Sequence, residues 1–234
     1  MAKMNNLTDF LTDVADAIRA KKGTTELINP QDFSSEIASI EGGGKQQRVM
    51  YIRRSNSGFI RTGVQGANNN LTIMIRYAMQ SFPTGYSSLI HAYINESTNA
   101  TRILINKNTT VLGSLNSIAS ASSSISRTGH VGVIYTDKLE PSGSSFKLST
   151  NGVSATKART AGAALDKKIT IFPETEDAVV MDLYQVTIHD NGQLVRNYIP
   201  HYQDGEFGLW DAVEGKFYKN AGNGEFTGEI IEIG

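Results

Sequence analysis

Val179-Val-Met-Asp-Leu-Tyr-Gln-Val-Thr-Ile188, followed within three residues by Asn191-Gly192, is the stretch whose reading decides the fold. Its apolar, β-branched and aromatic side chains suit a pleated, half-buried strand. Asn-Gly favours a type I′ turn, because both of its residues accept positive φ at low cost. A strand running into such a turn predicts an antiparallel hairpin. The same punctuation recurs at Asn151-Gly152 and Asp204-Gly205.

Further strands are expected on both sides. Near residue 50, Val49, Tyr51 and Arg53 alternate with Met50, Ile52 and Arg54, the period of two that a strand requires. Leu71–Met79, Ser88–Ile94, Thr101–Ile105, Val131–Tyr135, Phe146–Ser149 and Lys168–Phe172 have similar composition. The Ser-rich run from Ser114 to Ser126 reads as an edge strand passing into a loop. Roughly a dozen short strands with no long helix among them predict a mainly β fold, an antiparallel jelly-roll-type sandwich.

The first 41 residues follow another period. Leu7, Phe10, Leu11, Val14, Ala17 and Ile18 fall on one stripe of a helix. Asn5 or Asn6 can cap its start, and Gly23 can end it. Asn29-Pro30 begins a second helix, with Ile28 and Phe33 at the spacing of a hydrophobic staple and Ile37 and Ile40 continuing the stripe. Gly42-Gly43-Gly44 then interrupts the chain. The expected organisation is a two-helix docking and oligomerisation module at 1–41, a glycine-rich linker at 42–46 and a sandwich at 47–234. A module of about 40 residues cannot bury enough apolar surface to stand alone. The following domain, copies of the chain or another protein must cover Leu7, Phe10, Leu11, Val14, Ile18, Phe33, Ile37 and Ile40. The flexible joint favours copies or a partner.

Composition narrows the function. The 234 residues carry a net charge of −1, so no basic field is available for nucleic acid. Hydrophobic residues make up 39% and charged residues 19%, enough for a packed core. With no cysteine, a disulfide scaffold and thiolate metal sites are excluded. No apolar run approaches a membrane span, and Met1–Leu7 lacks the apolar centre of an export signal. Five Asn-x-Ser/Thr triplets fit chance in a chain holding 58 Ser, Thr and Asn residues.

Catalytic patterns are sparse. His91, His130, His189 and His201 are the only histidines and show no metal-ligand spacing. A sandwich hydrolase would need two carboxylates facing one cleft, but Val179–Ile188 offers only Asp182, and Glu174-Thr-Glu176-Asp177 reads as a loop. Gly222-Asn-Gly224-Glu-Phe-Thr-Gly228 lacks the spacing and the Lys-Ser/Thr of a nucleotide loop, and reads as a terminal hairpin. Neither a catalytic residue, a metal nor a cofactor is expected. Among aromatics that could stack on a sugar, Trp210 reads as core, whereas Tyr86 in Pro83-Thr-Gly-Tyr-Ser87 reads as exposed.

Two segments carry a resemblance. Leu11-Thr-Asp-Val-Ala-Asp-Ala-Ile-Arg-Ala-Lys-Lys-Gly23 through Ile40 resembles an N-terminal module of bacteriophage virion proteins. Asp182–Pro200 with Gly208-Leu-Trp-Asp-Ala-Val-Glu-Gly-Lys-Phe-Tyr-Lys-Asn-Ala-Gly222 is similar to the end of concanavalin A-like (laminin-G-like) sandwiches in phage tail and fibre proteins. The resemblance implies a non-enzymatic head or tail fibre or decoration protein, assembled in the host cytoplasm and displayed on the virion surface. Its helices would dock on capsid or tail proteins, its copies would form a trimer, and its sandwich would adhere to a host polysaccharide. The alternative is a soluble lectin-like module, and a remoter one a sandwich glycoside hydrolase.

Overall fold

A computed structural model describes residues 7–39, 46–54, 58–95, 97–118, 122–174 and 180–233. Two compact units make up the chain. One is Val49–Glu229, and the other holds the helices with the outer ends of the first and last strands.

In the helical unit, α1 spans Leu7–Lys22, with Asp9 in its first turn and Arg19, Lys21 and Lys22 in its last. These charges complement the helix dipole. Gly23 ends it at φ +65, and the Thr24 amide reaches back to the Arg19 carbonyl at 3.2 Å, a Schellman-type closure. Asn29 accepts from the Gln31 amide at 3.0 Å and starts a 3-10 turn, Pro30–Asp32, which passes into α2, Phe33–Ala38. Lys22 pairs with Glu36 between the helices. The expected caps Asn5 and Asn6, the stripe residue Ile40 and the Gly42–Gly44 linker lie outside the described residues.

The strands that follow are β1 (Gln46–Arg54), β2 (Ile60–Gln65), β3 (Leu71–Met79), β4 (Tyr86–Ala92), β5 (Asn99–Asn106), β6 (Thr110–Ile118), β7 (Ser123–Ser126) and β8 (Ile134–Ser142). Then come β9 (Ser145–Thr150), β10 (Val153–Ala158), β11 (Lys168–Ile171), β12 (Met181–Asp190), β13 (Gln193–Gln203), β14 (Glu206–Asp211), β15 (Lys216–Tyr218) and β16 (Phe226–Ile233). Two antiparallel sheets result. One runs β10-β9-β8-β3-β12-β13-β14-β15, with β1 also on β12 and β16 on β1, and the other runs β2-β11-β4-β5-β6-β7. Along one side of β12, β1 occupies Met181–Leu183 and β13 occupies Val186–Asp190.

All three predicted turns have both residues at positive φ: Asn151 and Gly152 at 43 and 88, Asn191 and Gly192 at 49 and 79, Asp204 and Gly205 at 53 and 85. They join β9 to β10, β12 to β13 and β13 to β14, so the local signal set the register. Alternation then aims Ile73, Ile75 and Tyr77 of β3, Ile103 and Ile105 of β5, and Phe146 and Leu148 of β9 into one core. Each such side chain contributes about 1.5–3 kcal/mol by burial. At Gly113 of β6 a Cβ would meet Leu148 and Leu139 of the opposite sheet at 3.0 and 3.2 Å.

One charged strut crosses this core. Arg127, after β7, donates to the Tyr77 hydroxyl at 2.6 Å and the Thr150 hydroxyl at 3.1 Å. It lies 3.4 Å from Asp137 of β8, and the Tyr77 hydroxyl donates to that carboxylate at 2.7 Å. Burial pushes the Asp137 carboxyl above its ordinary value and the Tyr77 phenol well above its own.

Four expectations are corrected. Ser114–Ser126 is two strands: β6 is interior, paired with β5 and β7, and only β7 is the edge. Ser114, Ser117 and Ser123 are buried with hydrogen bonds to Ser122, Thr160 and Ala155, which lets a serine run occupy an interior strand. The strand expected from Val131 begins at Ile134, because Gly132 turns at φ +76. Gly222–Gly228 forms no hairpin, since β16 pairs with β1. Trp210 is half-buried on the sheet's outer face, while its neighbour Leu209 enters the core.

Candidate functional site

The outer face of the six-stranded sheet sets an exposed ring beside a row of uncharged polar side chains. Ser87, Ile105, Val111 and Ile125 point inward, so their strand neighbours point out. Tyr86 stands opposite Asn106, Asn106 opposite Thr110, and Thr110 opposite Ser126. This row crosses four strands, about 14 Å at the usual spacing. In the row beside it, Ser88 and Leu104 are buried and Leu112 and Ser124 reach the surface. Neither row contains a charge.

Tyr86 is 62% exposed. Its position is fixed from below, because the Lys107 amide, at φ +51 in the β5–β6 turn, donates to the Gly85 carbonyl at 3.0 Å. Further along the face, His91 lies opposite Arg102 and has Nδ1 3.2 Å from the Ser88 hydroxyl. The Tyr93 ring is 5.9 Å from His91 and carries the Arg102 guanidinium 4.9 Å from its centroid. A projecting ring beside uncharged amide and hydroxyl groups can stack on an apolar ring face while exchanging hydrogen bonds with hydroxyls at its edge. Tyr86 was legible in advance as an exposed ring. Asn106, Thr110 and Ser126 are ordinary strand residues until pairing sets them abreast.

The docking residues are placed differently. Leu7 and Phe10 are 71% and 64% exposed, and Ile37 is exposed too. Leu11, Val14 and Phe33 are half-buried, and Ile18 is buried with Ala15. Phe10 and Ala17 sit about 100° or more around the helix from Leu11, on the stripe's shoulder. Leu27, unremarked in the sequence, is 96% exposed.

Three other clusters are filled by their own partners. On the outer face of β13–β15, Ile199, Trp210 and Phe217 form a cross-strand row, and His201 packs 5.6 and 5.8 Å from the two rings. Burial lowers the His201 pKa. Asp182 accepts from Arg53 at 2.6 and 3.0 Å and from Gln80 at 2.7 Å. Asp211 accepts from the Asn197 and Val213 amides, both at 3.0 Å. Among the described residues, no group of three or more His, Cys, Asp or Glu is placed to hold a metal. Residues 175–179, which include Glu176 and Asp177, lie outside the described residues.

No protein-family model and no curated protein matches this sequence. Solved structures do. A candidate carbohydrate-binding protein from Bacteroides ovatus is similar with a TM-score of 0.53 and 11% identity, covering 81% of this chain and 60% of that one. The chain thus spans less than two thirds of that protein's length. A pentraxin from Limulus polyphemus has a TM-score of 0.42 and 15% identity over 60% of this chain and 76% of its own. The CBM40 domain of a Ruminococcus gnavus sialidase has a TM-score of 0.42 and 15% identity over 64% and 93%. At these identities the likeness concerns fold. The mainly β, concanavalin A-like sandwich behind a small two-helix segment, expected from the sequence, is the fold observed.

Proposed function

We propose that the sandwich is a non-catalytic carbohydrate-binding module whose ligand lies across the outer face of the six-stranded sheet. The observation that carries the reading is the row of Tyr86, Asn106, Thr110 and Ser126, with its exposed ring and uncharged hydrogen-bonding groups. The fold shared with a candidate carbohydrate-binding protein supports it. Absence of charge from this row suits a neutral polysaccharide. A glycan array probed with the full-length protein tests this. Binding to a defined neutral glycan, weakened roughly tenfold by Tyr86→Ala as for a central interface tyrosine, is expected. An array without hits, or hits indifferent to that substitution, would refute it.

The setting we infer is the surface of a bacteriophage virion, as a head or tail fibre or decoration protein. The resemblance of Leu11–Ile40 and Asp182–Gly222 to phage proteins supports this reading, as do the uncovered side chains of Leu7, Phe10, Leu27 and Ile37. Residues 1–41 would dock on other virion proteins and associate in three copies, with 42–46 joining them to the sandwich at 47–234. Immunogold labelling of virions tests the setting. Labelled heads or tails are expected, and unlabelled virions from an expressing host would refute it.

A further inference from the structure

A second surface of the sandwich has the form of a small-ligand site. The glycine-rich stretch after Lys219 walls a cleft of about 460 Å³ with the start of β14. That size falls within the range of small-molecule sites, about 300–1,000 Å³. Phe207 and Phe226 form its apolar part, and Glu206, Glu225 and Lys219 its polar rim.

Asn220 builds the wall. Its Oδ1 accepts from the Phe59 amide at 3.0 Å and the Gly222 amide at 2.9 Å, and its Nδ2 donates to the Gly222 and Gly224 carbonyls. The Ala221 amide adds a bond to the Phe59 carbonyl at 2.9 Å. With its side chain fully engaged, Asn220 positions the loop and leaves ligand contacts to its neighbours. Phe207 is held on both sides. Its ring centroid lies 4.8 Å from that of Tyr202, and a Cβ at Gly228 would come 2.7 Å from the Cδ1 and Cε1 atoms of the Phe207 ring. The cleft is therefore preformed, which reduces the ordering cost of binding.

Its charge selects the ligand. Lys219 lies 3.6 Å from Glu206, and with Glu225 also on the rim the lining carries one ammonium and two carboxylates, net negative. Carboxylates accept hydrogen bonds from hydroxyl and ammonium groups and repel anions. We propose that this cleft is a second binding site, for a neutral or amino sugar at the end of a glycan, and that it discriminates against acidic sugars. The choice of sugar over other polyols rests on reading the sandwich as a glycan binder.

Titration of the ¹⁵N-labelled full-length protein with galactose, protonated glucosamine and glucuronate, followed by amide shifts, tests it. Galactose or glucosamine should give saturable shifts at Gly222, Gly224 and Glu225, and glucuronate should give none. Glu225→Gln, on an exposed rim, should weaken glucosamine roughly tenfold, the loss for one charge-assisted hydrogen bond, while Tyr86→Ala should leave these shifts unchanged. Silent loop amides with all three sugars, glucuronate binding as well as galactose, or indifference to Glu225→Gln would overturn the proposal. Array binding that depends on Tyr86 beside a silent loop would remove the cleft alone. Responding loop amides with array binding indifferent to Tyr86→Ala would remove the sheet-face site alone.

Discussion

In the sandwich, Ile73, Ile75 and Tyr77 of one strand are wholly buried, and a charged group that enters their core, Asp137, arrives with Arg127 and Tyr77 as partners. In the helical unit, an amphipathic stripe of similar quality leaves Leu7 and Phe10 mostly in water, and among the described residues of its two helices only Ala15 and Ile18 are buried. The difference lies in what each pattern needs for cover. Two sheets facing each other bury one another's apolar sides. Two short helices cannot, and helices of this length are marginal on their own. The sandwich thus covers its own apolar sides, and we propose that the helical unit is one half of an interface.

The largest effect expected on the sandwich side follows from breaking its strut. Arg127→Met should leave Asp137 buried without its cation and cost about 3–5 kcal/mol, read from urea denaturation. A loss under 1 kcal/mol would mean that water reaches the carboxylate. On the helical side, Val14→Asp should abolish association of the full-length protein in light scattering, while deletion of residues 1–44 should leave one cooperative thermal transition. Mutant protein that associates normally, or a truncated chain that melts without cooperativity, would erase the contrast between the two units.

Smaller effects sharpen it. Gly192→Ala places a side chain at φ +79 and should cost about 1–2 kcal/mol, again by urea denaturation. The pH dependence has a defined sign. Asp137 holds its proton more tightly folded than unfolded, because burial raises its value from 3.8. Its contribution to stability is therefore most favourable below 3.8 and declines as pH rises through the folded-state value. Stability curves of wild type and Asp137→Asn should shift in favour of the variant across that window, and parallel curves would contradict the assignment.

Much of the fold was legible because its signals are local. Asn151-Gly152, Asn191-Gly192 and Asp204-Gly205 take the backbone that their chemistry favours, and Asn29 caps the turn that it announces. What escaped was set by pairing. Trp210 stands outside the core because its neighbour Leu209 took the inward place, and flanking composition cannot reveal that parity. Ser114 and Ser117 fit an interior strand only because Ser122 and Thr160 meet them. The site divides in the same way. A turn-like context marked Tyr86 as exposed, but Asn106, Thr110 and Ser126 join it only through the register of three strand pairs.

That register supports the central claim, that the outer face of the six-stranded sheet is where the sandwich binds sugar. Titration calorimetry of the best array ligand against wild type and Tyr86→Ala, with melting curves of both, tests it most directly. The account predicts saturable binding by wild type, an affinity lower by roughly tenfold in the variant, and equal melting temperatures, since an exposed ring contributes little to the fold. Equal affinities for the two proteins would contradict it.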